Sequence, residues 1–510
     1  MLRFFTPLVA NMLLVMAAWA QPAEVQNTET HQPPLIMALA SAPTTLDSRF
    51  TTGASASRIA GLISQPLVNL DTSFNPQPAA AKSFVWVDGR TLQFTLKNSN
   101  FVNGAPLTAH VVKRFYESIM DADTISPFRG QMLPIEHIKT VGNNKIQFLF
   151  KTPPQFVWPL FTHPIMHLGA TKSPENNTVY PVGLGPYKVA AGSTLENLAL
   201  KLAPTWQGAQ PASQQIQFKT VKDPLVRLLK VQNGEAHILQ NDMPSVFYAY
   251  AQEKENLKTL SFPSTNYTYL GFNMEDADVG MLAVREAIAY GVDRQKIMDT
   301  LLFGLASPAH SILPQNHAGF WPAPLRPHNP QKAIELLEEA GFKPDKNGVR
   351  LTLRFSTTNN PSTLLLVQAL QHQLKQVGIA LETNVSEWGT FYGNILQGNF
   401  QMYLLTWVGV FDADIYKSLF HSSKKPPVGA NRGRFEHQEM DKHIDSLWQA
   451  GTNKVNAIKK IQQLQHEYLP YVPLWQRSNI AIMHPSVRGF TLTLDGRYDG
   501  LLNTYLAQID

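Results

Sequence analysis

An α/β fold in more than one domain is predicted for this chain on three observations. Its 510 residues, 44% of them hydrophobic, exceed what one hydrophobic core ordinarily supports, so two or three domains are expected. Between 350 and 405, strand-like and helix-like runs alternate: Arg350–Phe355, Leu364–Val377, Ala380–Val385, Glu387–Leu396 and Phe400–Leu405. That β-α-β order gives a parallel sheet covered by helices. Upstream, Leu92, Phe94 and Leu96 alternate with polar residues, as a half-buried strand requires.

In chain order, Arg3, the apolar runs Leu8–Ala10 and Leu13–Met16, and Ala18-Trp19-Ala20 before Gln21 make up a cleavable export leader over 1–20. Its apolar core is too short for a membrane anchor. After a polar lead over 21–34, Leu35–Leu39 reads as the first strand and runs into Ser41–Asp47. Ile59–Leu70 has helical spacing and stops at Asn69-Leu70-Asp71. Pro76–Phe84 and the strand Thr91–Lys97 follow, then a turn at Phe101–Gly104. Thr108 is the N-cap of a helix that puts Val111, Val112, Phe115, Tyr116 and Ile119 on one face. Lys145–Phe150 reads as a hairpin strand ahead of Pro153-Pro154.

Residues 181–189 read Pro-Val-Gly-Leu-Gly-Pro-Tyr-Lys-Val. The glycine pair permits a tight turn before a strand resumes at Tyr187. Over Gly234–Ile238 a helix ends and a strand starts. Tyr267–Met274 is a further strand, and Val284, Ile288 and Val292 mark a buried helix face. Asp293 caps a second helix, Arg294–Leu302, that ends near Gly304. Asn329 as N-cap, Pro330 at N1, the apolar Ala333, Ile334, Leu337 and Ala340, and Gly341 spell another complete helix. Helices near 439–450 and 454–468 come before the final segment, which opens at Gly489-Phe490.

Composition and motif searches narrow the function. The chain contains no cysteine, which excludes disulfides, thiolate metal sites, a cysteine nucleophile and a lipid-modified cysteine behind the leader. A formal charge of +5, evenly spread, does not suit nucleic acid. There is no His-Glu-x-x-His, no Gly-x-Ser-x-Gly and no phosphate loop, and no spacing pairs carboxylates as acid and base. An enzyme is not expected. Among fifteen histidines, His310 with His317 and His437 with His443 lack a ligand spacing, so neither a metal nor a cofactor is expected.

Several of these segments, in this order and at these separations, resemble one family: the extracytoplasmic solute-binding proteins, family 5, of peptide/nickel-type ABC importers. The carriers are residues 181–189, Gly234–Ile238, Tyr267–Met274 followed by Val284–Arg294, and Leu405–Asp414. The resemblance implies a periplasmic-binding-protein type II-like fold, two large lobes joined by crossing strands with an extra small domain in the first. The implied division is 34–68 for lobe I, 69–182 for the small domain, 183–268 for lobe I again, 269–487 for lobe II and 488–510 for the return to lobe I. His237 stands where the family often has an aspartate and reads as a surface residue.

The implied function is capture of an oligopeptide or peptide-like small molecule in the periplasm and its delivery to an inner-membrane ABC permease. The binding protein is expected to be a monomer with no nucleic-acid partner, freely diffusing rather than lipid-tethered. Two alternatives stay open: a receptor that reports ligand occupancy to a sensor protein, and a nickel or metal-chelate binder. The resemblance places Trp407 in the ligand cleft. Three residues on, where many peptide binders carry an aspartate for the ligand's α-ammonium, this chain has Val410. A buried ammonium without a carboxylate is costly. Either Asp412 or Asp414 serves instead, or both lie at the lobe surface or cap the helix near Ile415. Tyr267 and Tyr269 flank the lobe crossing and either face the ligand or pack beside the hinge. Ser41 and Arg58 lie where first-lobe residues approach the cleft.

Overall fold

Leu35–Leu39 is the expected first strand, and it pairs in parallel with Gln215–Thr220 on one side and Ile238–Gln240 on the other. The computed structural model describes residues 33–508 apart from 52, 72–73, 155–156, 173–178, 411 and 450–451. The leader expected over 1–20 lies outside the described residues. One large sheet runs through the molecule in the order Tyr187–Val189, Asn197–Leu202, Gln215–Thr220, Leu35–Leu39, Ile238–Gln240, Tyr471–Met483, Lys258–Phe272, Met402–Trp407, Leu351–Thr358, Ile379–Ser386. The strands on each flank of Tyr471–Met483 and Lys258–Phe272 include parallel neighbours, whereas those two long strands run antiparallel to each other. They cross from one half of the sheet to the other.

The crossing is not uniform. Phe262 pairs with Asn479 and Asn266 with Arg477, so Pro263, Ser264 and Thr265 bulge out of the ladder. A proline has no N–H for a ladder bond, and a bulge is one of the few places a sheet tolerates it. Thr265 N–H donates to the Leu494 carbonyl, and its own carbonyl accepts from Val410 N–H. The bulge therefore ties together the crossing, the final segment and the loop after Trp407.

Side chains alternate across the sheet, and both faces are covered. In the first half Met37, Leu39, Ile238 and Ala481 pack into one core, while Ala38, Leu239, Ile480 and Ile482 pack into another. In the second half Leu270, Phe272, Met402 and Leu404 share a core with Leu353 and Phe355, and Tyr267, Tyr269, Tyr403 and Tyr471 belong to the core on the opposite face. A strand buried on both faces reads as a near-continuous apolar run, as Leu35–Leu39 does, whereas Gln215–Thr220 and Leu351–Thr358 alternate with polar residues. A separate four-stranded antiparallel sheet, in the order Ala81–Trp86, Thr91–Leu96, Lys145–Phe150, Ile135–Val141, packs its own core against the helix Ala109–Met120.

The capping chemistry read from the sequence is present. Thr108, Asp293 and Asn329 each accept from a backbone N–H in the first turn of their helices. The first helix differs from expectation: it spans Ala54–Ile63, and Val68–Leu70 is a strand rather than its end. Ser64 and Pro66 stop it, because the residue before a proline is pushed out of helical geometry. The glycine pair of 181–189 also acts differently from a turn that needs left-handed backbone, since neither residue has positive φ. Gly185 N–H caps the Ile63 carbonyl at 2.8 Å and Leu184 N–H donates to Ser64 Oγ at 3.2 Å. A Cβ on Gly183 would stand 2.1 Å from the Ile63 carbonyl oxygen, so glycine is required for close approach. Among the described residues no helix is long and apolar enough to cross a membrane.

Candidate functional site

Strand Met402–Trp407 pairs with the crossing strand so that Trp407 stands opposite Tyr267 and Leu405 opposite Tyr269. The twofold period puts Trp407, at the end of its strand, on the tyrosine-rich face. Tyr267 and Tyr269 are fully buried there, with rings stacked at 5.7 Å, and Tyr269 stacks in turn on Tyr471 at 4.0 Å. Both tyrosines are packed side chains with no exposed surface.

The partner of Trp407 is Arg432, a residue that sequence reasoning did not single out. Its guanidinium lies 4.2 Å from the Trp407 ring centroid and 5.2 Å from that of Tyr392. It donates to Tyr392 Oη at 3.0 Å and to Tyr269 Oη at 3.4 Å. Tyr392 stacks on Trp388 at 5.4 Å, and Trp388 is 54% exposed. The result is one column, Trp388, Tyr392, Arg432, Trp407, that runs from solvent to the crossing. Asn431 holds the arginine in place: its side chain donates to the His421 and Phe435 carbonyls and accepts from Phe435 N–H. Gly433 then accepts from Met274 N–H just past the crossing strand.

The loop after Trp407 contains the remaining second-half candidates. Val410 is 2% exposed and belongs to the tyrosine-lined core. Asp412 Oδ1 lies 3.4 Å from His317 Nε2. His317 Nδ1 accepts from Gly319 N–H, which assigns the ring proton to Nε2 and lets it donate to Asp412. The His317 ring also lies 6.4 Å from that of Phe74, on the turn after the strand Val68–Leu70. Asp414 begins the short helix Ile415–Phe420 and is solvent-exposed, yet protein surrounds it on several sides. Its carboxyl is pushed up to about 7, first by that desolvation and then by the Asp412 carboxylate.

Ser41 and Arg58 lie on the first half. Ser41 is exposed just beyond the carboxyl end of Leu35–Leu39. Arg58 lies 5.7 Å over the Tyr498 ring and against Gly496. Around it stand groups that no sequence signal joins. Asn241 donates to Asn479, Gln240 donates to the Gly496 carbonyl, and Arg477 donates to Ser245 Oγ at 3.1 Å. Asp242 is exposed, its carboxyl raised by desolvation against the opposing charges of Arg58 and Arg227. Carboxyl ends of parallel strands are where open α/β sheets take ligands, and these residues follow two such strands. The structure thus joins Trp407 to Arg432 on one half and places Arg58 in a polar cluster on the other.

Two concavities lie elsewhere. One is lined by Ala38, Glu196, Lys219 and Glu235 on the first half, the other by Arg294, His310, Arg326 and Gln462 on the second. Neither includes Trp407, Arg432 or Asp414. Among the described residues no group of three or more His, Asp or Glu side chains is placed to hold a metal ion.

The family model for bacterial extracellular solute-binding proteins, family 5 Middle, matches residues 75–426. The chain belongs to that family. The relatives it matches include the glutathione-binding protein GsiB of Salmonella typhimurium, 25% identical over 477 residues, covering 90% of this chain and 92% of the relative. GsiB of Escherichia coli K12 is 24% identical over the same length. Among solved structures, NikA from Brucella suis in complex with Fe(III)-EDTA superposes with a TM-score of 0.82 at 21% identity, over 92% of this chain and 99% of that one. The oligopeptide-binding protein AppA from Bacillus subtilis, in complex with a nonapeptide, gives 0.77 at 21% identity, over 94% and 99%. The fold is accordingly that of type II periplasmic binding proteins, as the resemblance read from the sequence implies.

Proposed function

We propose that this chain is the periplasmic substrate-binding component of an ABC importer. It captures an oligopeptide or peptide-like small molecule between its two halves, as a monomer, and hands it unaltered to an inner-membrane permease. What carries this reading is the family match over 75–426, laid on a sheet whose halves are joined by two crossing strands with a bulge at 263–265. Such a connection suits hinge closure, in which a ligand shifts an open–closed balance by binding the closed form better. The lobe boundaries proposed with it are 268/269, within the crossing strand Lys258–Phe272, and 487/488, beyond the end of Tyr471–Met483.

Relatives named for glutathione and for oligopeptides support the ligand class. On the second half the ligand meets the Trp407–Arg432 wall, and Asp414 is the carboxylate available to an ammonium group, since Val410 is buried in an apolar core. On the first half Arg58, Ser41 and Asp242 face the same ligand. The mature protein, stripped of bound molecules by unfolding and refolding, should show a raised melting temperature with glutathione or with one of a series of di- to nonapeptides. Mass spectrometry should recover that compound intact. No shift across the series, or recovery of a cleaved product, would refute the assignment.

A further inference from the structure

Four arginines are almost fully buried among the described residues, and three of them show what a structural arginine does in this chain. Arg227 donates to the carbonyls of Val221, Lys222 and Asp242. Arg285 donates to those of Leu469, Val279, Gly280 and Tyr468. Arg294 donates to Ala289 and Arg326. Each is a cation surrounded by carbonyl oxygens that tie loops and helix ends together.

Arg432 is built otherwise. It is 8% exposed, donates to no carbonyl, and forms no ion pair among the described residues. The acid that approaches its loop, Glu275, is engaged by Arg434 and Lys425. Two of the five guanidinium N–H groups go to phenol oxygens, which leaves three. Among the described residues the Nε–H is buried without a partner, and so is the indole Nε1–H of Trp407, on which the guanidinium is stacked. An arginine is charged at every accessible pH, and a buried charge is normally matched by an opposite one. The ring faces of Trp407 and Tyr392 offset only part of that cost. The unused groups on Arg432 and Trp407 are all donors, and the oxygens nearest them are neutral phenols rather than carboxylates or carbonyls. An anion is the chemistry that fits such a set.

We infer that Arg432 and Trp407 form the binding subsite for a carboxylate of the transported molecule, so that the ligand of this protein is an acid. The inference rests on the solute-binding reading and deepens it by naming the charge of the group held beside the crossing. It also gives Val410 a context: with no carboxylate at that position, the site beside the crossing is left to the ligand's negative end, and its ammonium group falls to Asp414 farther along the loop.

The test uses the full mature protein and paired probes: glutathione with its diethyl ester, and tripeptide acids with their C-terminal amides. Titration calorimetry on the wild type should find that the acids bind and that their neutral partners bind roughly 30-fold weaker or worse, the usual loss for one buried charged hydrogen-bonding pair. R432M should bring the acid down to the affinity of its neutral partner. R432K, which keeps the charge and provides a second variant should R432M fold poorly, should keep a preference for the acid. Equal binding of acid and neutral partner by the wild type, or an undiminished preference in R432M, would overturn the subsite. If no peptide of either kind binds, the peptide assignment fails on its own. The molecule released from the native protein on denaturation then decides the subsite: an acid supports it and a neutral compound overturns it.

Discussion

Replacing Gly183 by alanine tests whether the 181–189 segment is a spacer-free cap on the first helix. The added Cβ would lie 2.1 Å from the Ile63 carbonyl oxygen and 2.8 Å from its carbon, so the segment must lift by more than an ångström. Three bonds depend on its position: Gly185 N–H to Ile63 at 2.8 Å, Val102 N–H to the Gly183 carbonyl at 3.0 Å, and Leu184 N–H to Ser64 Oγ at 3.2 Å. Overpacking of a filled site costs about 1–3 kcal/mol. Leaving one buried donor unpaired costs about 1–3 kcal/mol more. A loss of roughly 2–6 kcal/mol is therefore expected for G183A. Gly61, inside the same helix, has open space where its Cβ would go and ordinary helical φ, so G61A should stabilise by about 0.5–1 kcal/mol. Urea unfolding of ligand-free protein, followed by circular dichroism, measures both. A G183A midpoint equal to wild type, or a G61A protein weakened as much as G183A, would refute the close-approach argument.

Two further outcomes follow from the packing. His237 Nδ1 accepts from Ile36 N–H at 2.9 Å, and its imidazole is pushed down to about 4, chiefly by burial and then by the charges of His484 and Lys219. The unfolded chain then holds more protons than the folded one between about 4 and 6.5, so this residue's contribution is complete above 6.5 and is lost as pH falls through 4. H237N keeps an acceptor but does not titrate. It should flatten the stability–pH slope in that window by up to about 1.4 kcal/mol per unit, and unchanged slopes by denaturant titration would contradict the role. W407A removes one ring face from Arg432, worth about 0.5–2 kcal/mol. Affinity for a bound peptide should fall several-fold or more in calorimetry while the circular dichroism spectrum is unchanged, and undiminished affinity would take Trp407 out of the site.

What the sequence made readable was local chemistry. Caps at Thr108, Asp293 and Asn329 declare themselves within four residues, and the strands from 351 to 407 show their period directly. The long crossing strand begins at Lys258, well before the expected Tyr267, because a bulge at Pro263 breaks the alternation that a reader follows. His237 was expected at the surface. Instead its ring serves the first strand as an acceptor, a task an aspartate performs equally well, and only the pairing across Ile36 reveals it. The Trp407 site was half legible. Arg432 and Tyr392 stand 40 residues apart, and nothing local in Asn431-Arg432-Gly433-Arg434 indicates that one arginine is spent on Glu275 while the other lies stacked and unpaired.

The most direct measurement of the central claim is small-angle X-ray scattering of the mature protein with and without a peptide acid that binds it, coupled to mass spectrometry of the compound afterwards. Closure of two halves about the 263–265 bulge predicts a smaller radius of gyration in the bound state and a compound of unchanged mass. Identical dimensions at saturation, or a compound returned altered, would contradict it.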